Sequence, residues 1–158
     1  MTYYARKSPR IPGFDYSSDH YYFVTICTHN RRCIFGTPNQ LNCWGEIVQR
    51  QILQLPEHYA QVKVDKYVVM PNHIHMILVL GCGIQAVSNP RLEQIVAQLK
   101  SGASREIRKT AGSIQVWQRS FHDHVIRGQA DYEKIWLYIE GNPQRWDKDC
   151  FYIDSNIS

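Results

Sequence analysis

Residues 67–80, YVVMPNHIHMILVL, decide how this chain is read. The stretch is almost wholly apolar, yet His73 and His75 sit in its middle with only Ile74 between them. Side chains alternate across a strand, so the two imidazoles share one face, while Ile74, Met76 and Leu78 share the other. Two imidazoles one residue apart on a rigid strand make either a bidentate metal clamp or a hydrogen-bonded pair within a core. Pro71 has no N–H to give a ladder, so Pro71-Asn72 divides the stretch. The expected result is two strands, residues 62–70 and 73–80, folded into an antiparallel hairpin.

Outward from the hairpin, the chain alternates strand and helix signals. Residues 21–29, YYFVTICTH, are rich in β-branched and aromatic side chains and follow the turn-prone DYSSDH. Leu41, Trp44, Ile47, Val48, Ile52 and Leu55 recur at three- and four-residue spacings, predicting a helix that Pro56 stops or kinks. Leu92, Ile95, Val96 and Leu99 give a second helical stripe over 89–109, with Asn89-Pro90 at its start and SGAS (101–104) as a bend or division. A fourth strand is expected over about 116–127 and a last helix from Asp131, a candidate N-cap. The order strand, helix, strand, strand, helix, strand plus a C-terminal helix predicts an α+β, ferredoxin-like (βαββαβ) fold. Its antiparallel sheet would carry helices on one face, with the extra helix following. Residues 1–158 read as a single domain, with a basic arm over 1–15 and a tail over 147–158.

With 158 residues, 44% of them hydrophobic and 20% charged, the chain can bury a core without disulfides or a structural metal. Five cysteines, odd in number and without C-x-x-C pairing, argue against a disulfide framework and a zinc ribbon. No apolar run reaches the roughly 20 residues of a membrane-spanning helix. The basic N-terminal residues have no apolar segment behind them, so a signal peptide is not expected, and the cytoplasm is. The net charge of +4 is unevenly spread. Arg6, Lys7 and Arg10 cluster near the N-terminus, Arg31 and Arg32 in a loop, and Lys100, Arg105, Arg108 and Lys109 along one helix. Such patches are either a footprint for a polyanion or a solvated face.

VVMPNHIHMILVL resembles the histidine-hydrophobic-histidine (HUH) strand of single-tyrosine transposases, more specifically the REP-associated tyrosine transposases of bacteria. RKSPRIPGFDY, YYFVTICTHNRRCIFG, VWQRSFHDHVIR and DYEKIWLYIEGNPQRW agree in order, so the likeness runs from about Arg6 to Trp146. The resemblance implies an IS200-like nuclease domain that cuts and rejoins single-stranded or palindromic hairpin DNA. A helix-borne tyrosine would form a 5′-phosphotyrosine and leave a free 3′-hydroxyl. The nucleophile matches Tyr138, and the metal ligands match His73, His75 and Asn142, with Mg2+ or Mn2+ as cofactor.

Tyr138 and Asn142 are four apart and share a helical face, although Pro143 also makes Asn142 a candidate cap. Tyr132, six residues before Tyr138, is expected to face nearly the opposite way. The basic residues named above, with Arg119, become candidate DNA contacts, giving salt-dependent affinity and a nucleoid association. His122, His124 and Trp117 are weaker candidates, Trp117 as a base-stacking ring or a core aromatic. Monomer and homodimer both stay open. Two other readings compete. One is a retired transposase that only binds hairpin DNA; the other is a small metal hydrolase drawing an acidic ligand from Asp65 or Asp123.

Overall fold

The structure is a computed structural model and describes residues 13–18, 20–82 and 88–154. In chain order, β1 (Tyr21–Cys27) leads through a 3-10 turn (His29–Arg31) to a small hairpin of β2 (Gly36–Thr37) and β3 (Gln40–Leu41). Helix α1 (Cys43–Leu53) and the single turn α2 (Leu55–His58) precede β4 (Val62–Met70) and β5 (His73–Leu80). Then come α3 (Leu92–Ala111), β6 (His122–Ile126), α4 (Gln129–Gly141) and a 3-10 segment (Pro143–Lys148). The main sheet runs β4-β5-β1-β6 with every pairing antiparallel, which is the ferredoxin-like order expected from the sequence.

Alternation sorts the central strands onto two buried faces. Tyr22, Val24 and Ile26 of β1 and Ile74, Met76 and Leu78 of β5 pack against Val48 and Ile52 of α1 and Leu92, Ile95, Val96 and Leu99 of α3. On the opposite face, Phe23 and Ile77 meet Ile135 and Ile139 of α4. The sheet is therefore covered on both sides, and every residue of β5 is buried. An open antiparallel sheet would have alternated instead.

Local chemistry sets the element ends. Asn42 caps α1, its Oδ1 accepting from the N–H groups of Trp44 and Gly45 at 3.1 and 2.9 Å. Helix α1 ends at Leu53, and Pro56 sits in the first turn of α2, where its missing N–H does no harm. Helix α3 runs unbroken through SGAS: buried Gly102 lies against the Gln51 side chain of α1, so the glycine serves close helix approach and not a bend. Helix α4 begins at Gln129, two residues before the expected cap, and Asp131 instead accepts from the Arg127 N–H at 3.1 Å.

The fourth strand is shorter than expected. Trp117 forms only an isolated bridge with Thr28, and regular pairing starts at His122. Between them the Lys100 ammonium donates to the Gln118 and Ser120 carbonyls at 2.7 and 3.2 Å, while the Gln118 N–H bonds the Cys27 carbonyl at 3.0 Å. Trp117 itself is 6% exposed, packs on Phe35, and donates its indole N–H to the Lys100 carbonyl at 3.2 Å. It is a core aromatic, which removes it as a base-stacking platform.

Gly45 offers a test of this packing. A Cβ there would collide with the Phe35 carbonyl and stand 3.0 Å from Leu41 Cβ. Gly45→Ala should lower the unfolding free energy by about 1–3 kcal/mol, outweighing the roughly 1 kcal/mol that alanine gains in a helix interior. Denaturant unfolding would measure it, and a stabilised variant would refute the proposed close approach.

Candidate metal centre

His73 and His75 lie on the α4 face of the central strand β5, 0% and 1% exposed. Their Nε2 atoms are 3.1 Å apart. Two ligands held at about 2.1 Å from one ion, 90–110° apart, stand roughly 3.0–3.4 Å from each other. The pair therefore already has the spacing of a metal clamp. Burial lowers the pKa of both rings, that of His75 to about 3, with His75 itself the second cause for His73. Neutral imidazoles keep the lone pairs that a cation needs.

The outer nitrogens are engaged. Asn72 Oδ1 is 2.8 Å from His73 Nδ1, and Thr25 Oγ1 is 2.7 Å from His75 Nδ1. Asn72 is itself buried in the hairpin turn, donating from Nδ2 to the carbonyls of Phe151 and Arg31 at 2.7 and 3.1 Å.

Helix α4 supplies the facing wall. The Tyr138 ring lies 5.3 Å from the His75 ring and 6.3 Å from Phe23, centroid to centroid. Asn142 is the helix C-cap, as Pro143 foretold, yet its side chain turns inward. It is 2% exposed and neighbours both His73 and Tyr138 closely enough to shift their titration. Its Nδ2 donates to Asp149 Oδ2 at 2.9 Å, while its buried Oδ1 has no hydrogen-bond partner among the described residues. A buried carbonyl oxygen without a partner, beside two neutral imidazoles whose Nε2 atoms lie 3.1 Å apart, is a donor set that suits a cation.

Asp149 and Phe151 complete the site, and sequence reasoning passed over both as tail. His73, His75 and Asp149 form a group whose ligand atoms lie within 4.8 Å of one another, so it could hold a metal ion. Asp149 Oδ2 stands 3.9 Å from His73 Nε2. Phe151 packs on the His73 ring at 4.6 Å and, from its other surroundings, receives the Arg31 guanidinium at 5.4 Å. Burial, followed by the nearby Asp149 charge, raises the Tyr138 phenol well above its ordinary pKa. Nothing in the residue pattern of 147–154 announced this packing, whereas Thr25 was visible as a polar residue inside an apolar strand and Asn72 as the polar residue of a turn between two of them.

The other candidates are dispersed. Tyr132 and Tyr138 both border the apolar face of α4, since six residues turn a helix by 240° and not by a half-turn. Only Tyr138 reaches the histidines, because the Tyr132 hydroxyl is committed to Asp65. Asp65 is thereby held at the bulge of β4, and Asp123, opposite Val24, points to the α1–α3 face. Neither is in the cluster; the acidic member is Asp149. His122 pairs with Thr25 and so shares the site's face, one strand beyond it, while His124 bonds Asp131 at 2.7 Å.

Among the basic residues, Arg31 sits at the rim on Phe151, and Arg32 donates to the Gln115 carbonyl at 3.0 Å. Arg105, Arg108 and Lys109 are exposed on α3, on the other side of the sheet from the histidines, with Lys109 paired to Glu106 at 2.9 Å. Lys100 is occupied with the two carbonyls described above, and Arg119 is exposed in the loop before β6. Arg6, Lys7 and Arg10 lie outside the described residues. No helix among the described residues is long and apolar enough to cross a membrane.

The histidine pair of β5 and Tyr138 of α4 lie on one face of a ferredoxin-like sheet, and comparison with known proteins gives the family. Residues 16–142 match the family described as Transposase IS200 like. The chain belongs to that family. It is 32% identical, over 94% of its length and 94% of the relative's, to an uncharacterised protein of Haemophilus influenzae. Its fold is similar to that of a solved REP-associated tyrosine transposase bound to a REP hairpin, with a TM-score of 0.62 and 22% identity over 92% of this chain and 74% of that one.

The buried neutral histidines give stability a pH signature. An unfolded histidine takes up a proton near pH 6.5 that the folded His75 refuses until about pH 3. The unfolded state thus binds more protons across this window, so stability is full above it and falls as the pH drops, by roughly 1.4 kcal/mol per pH unit for each such ring. Denaturant titrations of chelator-treated protein between about pH 6.5 and 5, above most carboxylate titration, should show that slope, and His75→Gln should flatten it by about one proton's worth. A wild-type stability flat across the window would contradict neutral burial.

Proposed function

We propose that this chain is a metal-dependent, single-tyrosine DNA nuclease and strand transferase acting on single-stranded or hairpin DNA. The observation that carries the reading is the convergence of Tyr138 and Asn142 from α4 on the His73–His75 pair of β5. Membership of a transposase family supports DNA as substrate, and the shared fold with a hairpin-bound transposase supports a hairpin form of it.

His73, His75 and the Asn142 Oδ1 would hold Mg2+ or Mn2+, with Asp149 as a further oxygen donor. When bound, the ion supplies Lewis-acid polarisation of the phosphate. The protein's own part is positioning. Tyr138 Oη forms a bond to phosphorus as the bond to the 3′-oxygen breaks, leaving a 5′-phosphotyrosine. The phenol gives up its proton and the departing 3′-oxygen gains one, by way of solvent. That hydroxyl can attack the phosphotyrosine in return, so strands are rejoined with no outside energy source. The raised pKa of Tyr138 makes phenolate scarce in this closed arrangement, and engagement of the Asp149 charge by a cation would relieve one of its causes. Arg31 at the rim, Arg32, Arg119 and the α3 cations Arg105, Arg108 and Lys109 are the proposed backbone contacts, with Arg6, Lys7 and Arg10 of the N-terminal arm.

A protein that binds hairpins without cutting them is the second reading. The observation favouring it is the burial of both imidazoles beneath Phe151, since a phosphate reaches them only if residues 149–151 move. A labelled hairpin oligonucleotide with a single-stranded flank decides between them. Wild-type protein with Mn2+ or Mg2+ should yield a covalent protein–DNA adduct that survives denaturation, and chelator should abolish it. Tyr138→Phe should remove the adduct completely while leaving hairpin affinity within about twofold, and Asn142→Ala should slow its formation by 10-fold or more. An adduct formed by Tyr138→Phe would refute the nucleophile, and binding without any wild-type adduct would establish the second reading.

A further inference from the structure

The two histidines of the clamp are not held alike. Asn72 Nδ2 donates to two carbonyls, those of Phe151 and Arg31, so the amide can be oriented only one way. Its oxygen then faces His73 Nδ1, which must carry the N–H. His73 therefore keeps its Nε2 lone pair directed into the site at all times. His75 has no such constraint. Its Nδ1 meets the hydroxyl of Thr25, a group that donates or accepts by rotating.

The 3.1 Å separation of the Nε2 atoms completes the assignment. Two lone pairs cannot face each other at that distance in a buried site, so one Nε2 carries a proton when no cation intervenes. His73 has already placed its proton on Nδ1, which leaves His75 as the donor. In that state the Thr25 hydroxyl donates to the bare Nδ1 of His75. A cation between the rings requires both Nε2 atoms bare. The His75 proton must then stand on Nδ1, where Thr25 Oγ1 accepts it. The ring is neutral in both states and the proton count is unchanged; one proton leaves Nε2 and one arrives on Nδ1 by exchange with solvent.

We propose that Asn72 and Thr25 are positioning residues with different tasks: Asn72 presets His73 as a permanent ligand, and Thr25 allows His75 to change tautomer when the cation enters. The inference rests on the metal reading given above. A fixed partner on one ring and a reversible one on the other keeps the empty site free of an unpaired buried N–H, while leaving it one proton shift from a ligand set. Second-layer hydrogen bonds of this kind commonly carry 10–100-fold in metal affinity.

Imidazole 15N chemical shifts of the full chain test it, with Zn2+ as diamagnetic probe and Mn2+ affinity followed by electron paramagnetic resonance. Metal-free protein should show His73 protonated at Nδ1 and His75 at Nε2; with Zn2+, both should be protonated at Nδ1. Thr25→Val keeps the shape of the side chain and should remain folded by thermal melting, yet lose about tenfold in Mn2+ affinity, because the polarised His75 Nδ1–H loses its acceptor. Thr25→Ser should restore most of it. A His75 found protonated at Nδ1 without metal, or a Thr25→Val variant binding Mn2+ as tightly as wild type, overturns the inference while leaving the nuclease reading intact. A wild-type protein that binds neither ion overturns both. Asn72→Asp adds an independent readout, since a carboxylate still accepts from Nδ1 but cannot donate to Phe151: His73 should stay protonated at Nδ1 while residues 149–154 loosen in hydrogen exchange.

Discussion

The side chain and carbonyl of Asn72 tie together three parts of the chain that are distant in sequence. Its Oδ1 orients His73, its Nδ2 ties the Phe151 and Arg31 carbonyls, and its own carbonyl accepts the Thr28 N–H and hydroxyl at 2.9 and 3.1 Å. All of these bonds are buried or nearly so, where an unpaired partner would be expensive. The turn joining β4 to β5, the loop after β1 and the C-terminal segment are consequently one cooperative unit built around a histidine. Replacing Asn72 by an apolar residue would orphan two carbonyls and a ring nitrogen together.

Around that unit the sheet is closed on both sides. Helices α1 and α3 cover one face and α4 the other, so the polar groups on the α4 face are buried and depend for partners on one another, on Asn72 and on Asn142 and Asp149 beyond the end of α4. This makes the site electrostatically stiff. Neutral imidazoles are enforced by desolvation, Asn142 is left with an unmatched oxygen, and the Asp149 charge stands near a phenol whose ionisation it opposes. A cation would use the imidazole lone pairs, match the Asn142 oxygen and balance the Asp149 charge at once, so the donor set suits a metal.

Much of this was legible along the chain. The period-two pattern of residues 73–80 placed both histidines on one face without any tertiary knowledge, and Pro71-Asn72 marked the turn. Strands β4 and β5 begin and end where the pattern put them. Val116, Trp117 and Phe121 are as apolar as a strand interior and so extended the expected fourth strand, whereas the carbonyls of Gln118 and Ser120 between them are taken by Lys100, remote in sequence. Trp117 was open between surface and core for the same reason: its hydrogen-bond partner belongs to α3. The bend expected at SGAS failed because Gly102 answers to Gln51 across a helix interface, not to its own helix.

The sequence by itself determined the periodic features: which side chains share a strand face, where helices can begin, and that Tyr138 and Asn142 lie together on one helix. These follow from backbone geometry, which repeats every two or 3.6 residues and needs no distant partner. Only the tertiary structure decided which groups meet. It laid α4 over the histidine face, turned the Asn142 side chain inward although the residue is a helix cap, brought Thr25 from β1 to His75, and folded Asp149 and Phe151 back over His73. Such contacts join residues far apart in the chain, and they are fixed by how two packed faces and their buried hydrogen bonds are satisfied together, a condition that no local pattern of residues encodes.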